Sequence, residues 1–124
     1  MPGVNFSKGS GSTASFPIGW TLTNGQYGRP LEISSFPDKC AHIFGTFGSG
    51  GSVTIYGSNN DADFDVDPAG GTWAVLVDPQ GNAITKTSNA IEQILENPKY
   101  ITAKVTAGDG TTSLTISINA ARSY

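Results

Sequence analysis

Residues 101–118 hold two runs in which an apolar side chain returns at every second position. Ile101, Ala103 and Val105 alternate with Thr102, Lys104 and Thr106, and Leu114, Ile116 and Ile118 alternate with Thr115 and Ser117. A period of two is the signature of a half-buried strand, because successive side chains of an extended backbone point to opposite faces. Gly108-Asp109-Gly110 separates the runs and predicts that they close as an antiparallel hairpin.

Upstream, short strand candidates are punctuated by turn residues. Trp20 to Thr23 ends at Asn24-Gly25, Leu31 to Ser34 follows Pro30 and stops at Phe36-Pro37-Asp38, and residues 40–47 run up to Gly48-Ser49-Gly50-Gly51. Ser52 to Gly57 alternates again, which predicts a second hairpin with 40–47. Trp73-Ala74-Val75-Leu76-Val77 is apolar on both faces and ends at Asp78-Pro79-Gln80-Gly81, as expected of a central strand. One segment breaks the pattern. Asn89 with Glu92 three residues on, and Ile91, Ile94 and Leu95 on one face, predict a short helix over 89–96 that Asn97-Pro98 ends. The expected fold is all-β: strand spacing indicates a β-sandwich or barrel without choosing the topology, and an antiparallel β-sandwich, jelly-roll-like, with one short helix is the expectation adopted.

The 124 residues suffice for one core, so residues 17–124 are expected to form a single domain. Residues 7–15 are a Gly/Ser-rich connector, making 1–16 a flexible N-terminal arm whose apolar anchors, Val4, Phe6 and Phe16, are candidates for contacting a neighbouring subunit; an ordinary frayed terminus accounts for them equally. A net charge of −3 and seven scattered basic residues argue against nucleic-acid binding, which depends on clustered Lys and Arg. No apolar run approaches the ~20 residues of a helical membrane span. A lone Cys40 and the lack of a signal-peptide pattern in the first 20 residues point to synthesis in a reducing cytoplasm.

Few residues suggest chemistry. Asp61, Asp63, Asp65 and Asp67 alternate in Asp-Ala-Asp-Phe-Asp-Val-Asp, and the first three are the candidate ligands for a hard cation such as calcium. The helix-loop-helix calcium pattern fails at Val66 and Thr72, and a solvated acidic loop is the plain alternative. Cys40 and His42 share a strand face with Asp38 as the nearby acid, but at roughly 7 Å along a strand they do not form a nucleophile–base pair. One His and one Cys cannot build a zinc site, and the glycine runs match neither phosphate-binding loop. A carboxylate pair for glycoside hydrolysis would have to draw on Glu32, Glu92 and Glu96; Trp20, Tyr27, Tyr56 and Trp73 are either sugar platforms or core. No catalytic residues and no cofactor are expected.

The segment Gly45-Thr46-Phe47-Gly48-Ser49-Gly50-Gly51-Ser52-Val53-Thr54-Ile55-Tyr56-Gly57-Ser58-Asn59 resembles small structural proteins of tailed bacteriophages, the capsid decoration or cement proteins. Asn97-Pro98-Lys99-Tyr100-Ile101 and Val105-Thr106-Ala107-Gly108-Asp109-Gly110, with the last strand, are similar to the same group, so the resemblance covers residues 20–119. It rests on turn and strand patterns and carries no active-site residues. It implies a β-sandwich or jelly-roll-like subunit on the capsid exterior of the virion that associates with itself as a dimer or trimer and clamps the major capsid protein. The acidic insertion from Asp61 to Gly71 and the polar arm depart from that pattern. A glycan-binding module of a phage tail or fibre is the alternative, and an enzyme the third.

Overall fold

A computed structural model describes residues 3–8, 15–33 and 36–121. Nine strands form two antiparallel sheets: β1 (Ser7–Lys8), β2 (Ser15–Thr23), β3 (Asp38–Thr46), β4 (Ser52–Ser58), β5 (Ala74–Val75), β6 (Thr85–Lys86), β7 (Ala90–Gln93), β8 (Tyr100–Ala107) and β9 (Ser113–Ala121). Sheet I has the order β1-β2-β9-β3-β7, so the last strand in sequence occupies its centre. In sheet II, β4 pairs with β8 along one edge and with β5 and β6 along the other.

The alternating apolar positions of β4, β8 and β9 lie in the core, as expected. Trp20, Ile116 and Ile43 form one cross-strand row on the inner face of sheet I, and Ile18, Ile118 and Ala41 the next. They face Val53, Ile55, Ile101, Ala103 and Val105 of sheet II, and all are buried. After the Asn24-Gly25 turn the chain crosses to sheet II, where Gly28 N–H bonds to Ala103 O (2.9 Å) and Leu31 N–H to Ile101 O (2.8 Å). Trp20 lies against this segment, its Nε1 donating to Arg29 O at 2.9 Å, and a side chain at Gly28 would overlap its indole.

Four expectations change. The predicted helix over 89–96 is a strand: β7 pairs with β3 in the register His42↔Ile91, burying Ile94 while Ile91 and Leu95 stay exposed. Two helical turns standing alone have little stability, whereas the free edge of β3 offers a full backbone ladder. Both predicted hairpins are instead crossovers between sheets. Residues 47–51 carry the chain from β3 in sheet I to β4 in sheet II, and residues 108–112 carry it from β8 back to β9. Finally, residues 73–77 are not a central strand: Ala74–Val75 pair at the edge of β4 and are exposed, Leu76 N–H bonds to Ile55 O at 2.9 Å, and Val77 forms an isolated bridge with Ala83.

The two crossovers lie side by side and are joined by polar groups. The Asp109 carboxylate accepts from Ser49 N–H (2.9 Å), Thr111 N–H (2.9 Å) and Thr111 Oγ1 (2.6 Å). Thr112 Oγ1 donates to Phe47 O at 2.8 Å and accepts from Asp109 N–H at 2.9 Å. Gly48, at φ +71°, passes so close to Asp109 that a Cβ would collide with its carboxylate.

Candidate functional site

Residues 59–73 form a loop that lies on the outer face of sheet II, and its carboxylates hold it there. Asn60 starts a single 3-10 turn, Asp61–Asp63, its side chain accepting from Ala62 N–H. Asp61 Oδ1 accepts from Lys99 Nζ (2.5 Å) and Tyr100 OH (2.9 Å), and these bonds lower its pKa. Asp63, buried, accepts from Ser58 Oγ (2.6 Å), Thr72 Oγ1 (2.6 Å) and Thr72 N–H (3.0 Å), which lower its pKa likewise. Asp65, the sole described non-glycine residue at positive φ, accepts from Gly3 N–H at 2.7 Å, with Arg29 at 4.0 Å. At Asp67, burial works to raise the pKa, but bonds from Lys104 Nζ (2.7 Å) and Ala69 N–H (2.9 Å) outweigh it and leave it lowered.

The alternation that suggested a calcium site therefore leads elsewhere. Asp61, Asp63 and Asp65 are not brought together, and no group of three His, Cys, Asp or Glu among the described residues is placed to hold a metal. Outside a strand, a spacing of two does not align side chains on one face, and each carboxylate turns to its own donor. The sequence held a signal for this in Lys99, Tyr100 and Lys104, which supply the donors from β8 and the residue before it.

The anchors expected on the arm fare differently. Val4 is tied down: its N–H bonds to Tyr27 O (2.9 Å), its C=O accepts from Arg29 N–H (2.7 Å), and its side chain packs on the core. Phe6 remains exposed in an apolar groove with Ile18, Leu31, Ile33, Phe36 and Phe64. Phe16 pairs through its backbone with Ala120, and its side chain lies outside the described residues, as do residues 1–2 and 9–14.

Among the proposed platforms, Trp20 is 2% exposed and cannot stack on a sugar; Trp73 is half-buried, its Nε1 donating to Val66 O at 3.0 Å. Glu92 pairs with Lys86 at 2.6 Å, and Glu96 accepts from Val77 N–H at 2.9 Å. Cys40 and His42 do share the outer face of sheet I, where the His42 ring lies on Phe44, centroids 4.6 Å apart.

That outer face is the feature sequence reasoning missed. Its rows are Pro17, Asn119, Cys40 and Gln93; Gly19, Ser117, His42 and Ile91; then Thr21, Thr115 and Phe44. None of these is Lys, Arg, Asp or Glu, although the protein is acidic; the next row, at one end of the face, holds Ala121 and the exposed Asp38. No contiguous motif encodes the face, which exists only once four strands are set in register. No protein-family model matches this sequence, and no curated protein matches it.

Proposed function

We propose that this chain is a non-enzymatic capsid decoration protein of a tailed bacteriophage. In this reading it binds the exterior of the assembled shell, bridges neighbouring subunits of the major capsid protein and associates with itself. The observation that carries the reading is the outer face of sheet I, whose three central rows hold no Lys, Arg, Asp or Glu, set opposite a face covered by the protein's own acidic loop. Rows without charge can lie flat on a shell without desolvating ions. The sequence resemblance over residues 20–119 supplies the identity of the partner. Binding that is confined to the assembled lattice stabilises it by mass action, and contact with several subunits multiplies modest affinities.

The test is the copy number of the protein in purified virions relative to the major shell protein. A ratio comparable to the shell subunit supports decoration. A few copies per particle would move the protein to the tail, and absence would overturn the reading. Thr115→Arg, on the exposed surface of sheet I, is expected to abolish shell binding while leaving the fold intact.

A further inference from the structure

Ile91, Leu95 and Val75, three of the five exposed large hydrophobic residues among those described, lie along one side of the sandwich, where β7 ends sheet I and β5 flanks sheet II. The backbone there is also incomplete. Ile94 N–H bonds to Lys39 O, and the β3–β7 register then makes Glu92 with Ala41, and Ala90 with Ile43, the hydrogen-bonded pairs. Ile91 and Gln93 alternate with these and turn their N–H and C=O groups away from β3. The next residue of that parity, Leu95, confirms the direction by donating outward to Val77 O at 2.9 Å. No described residue bonds to the outward groups of Ile91 or Gln93, and Ile91 is 64% exposed.

We propose that β7 is a pairing edge for a second copy of this chain, joined about a two-fold axis at Ile91. An edge strand with free donors and acceptors is completed by another strand, and two-fold pairing is the arrangement in which one such edge completes itself. Charge favours a copy here. Two chains of net charge −3 repel over most of their surfaces, but at this seam Lys86 neutralises Glu92 within each copy, and the row that Ile91 continues, His42, Ser117 and Gly19, holds no Lys, Arg, Asp or Glu. Charge also selects the register. Centring on Ile91 sets it against the second copy's Ile91 and sets Glu92 against Ala90; centring on Glu92 would oppose like charges directly. Leu95 and Val75 flank the new pair. The two copies of sheet I then form one continuous sheet that doubles the outer face.

This deepens the self-association in the reading above, yet its failure is separable from that reading, because a monomer can still bind shells. Sedimentation of the full chain across a concentration series is expected to show a dimer, and Ile91→Lys to weaken it by about tenfold or more. Ile91→Cys in a Cys40→Ser background is expected to form an intermolecular disulfide, since hydrogen-bonded antiparallel neighbours sit about 5.5 Å apart at Cα, within disulfide reach. A monomer at every concentration, a trimer, or a dimer indifferent to Ile91→Lys and uncrosslinked through position 91 would overturn the proposal.

Discussion

The Asp109 carboxylate holds the Ser49 amide at 2.9 Å across 60 residues of sequence, and so binds one crossover of the sandwich to the other. With Thr111 donating twice more, the pKa of Asp109 falls from 3.8 to about 2, the Thr111 side-chain bond contributing most. A carboxylate whose folded pKa is depressed adds stability above its unfolded pKa and loses it as pH falls through the folded value. The melting temperature is therefore expected to drop as pH is lowered from about 4 to 2. Asp109→Asn should lower it by several degrees at neutral pH and show a smaller drop over that window. Thermal melts of both proteins at stepped pH check this; parallel curves would count against the tie.

Ile116 sits at the centre of the inner face of sheet I, fully buried between Trp20 and Ile43. Ile116→Ala removes buried methyl and methylene groups from a position that close packing cannot refill, and is expected to cost about 2–5 kcal/mol in urea titration. Thr115→Ala, its exposed-face neighbour, should change stability by less than about 0.5 kcal/mol.

Gly28→Ala drives a methyl group into the Trp20 indole, which is held by its bond to Arg29 O. Overpacking of this kind typically costs about 1–3 kcal/mol. The same substitution should shift Trp20 fluorescence to the red as the ring is displaced toward solvent, a change that Gly50→Ala, at an open turn, should not produce.

The acidic loop is expected to respond to protons and not to calcium. Asp61, Asp63 and Asp67 all have lowered pKa values in the fold, so acidification through the carboxylate range releases residues 59–73 from sheet II. Hydrogen exchange should quicken there before the core opens, and Asp63→Asn should produce the same local change at neutral pH. Adding calcium or chelator should leave the melting temperature unchanged; a rise with calcium would revive the cation site.

Alternation made the inner positions of β4, β8 and β9 legible, because burial on one face leaves a period of two in the sequence. Which strand pairs with which was not legible. A Gly-rich turn between alternating runs serves a hairpin and a crossover equally, and the choice lies in contacts distant in sequence, such as Thr112 to Phe47 O. Residues 91, 94 and 95 fit a helical stripe as well as a strand, and only the free edge of β3 decides between them. The acidic repeat was visible as a cluster, but its roles depended on Ser58, Thr72, Lys99 and Lys104, which no local window associates with it.

The place of β9 between β2 and β3 bears on how the protein is made. Residues 113–121 leave the ribosome after the other described strands, so until they emerge β2 and β3 lack the strand that joins them in sheet I. The nascent chain must keep both from capturing strands of neighbouring chains. β9 then zips the two together in one late step, so high-level synthesis should be limited by aggregation of incomplete chains more than by the stability of the finished fold.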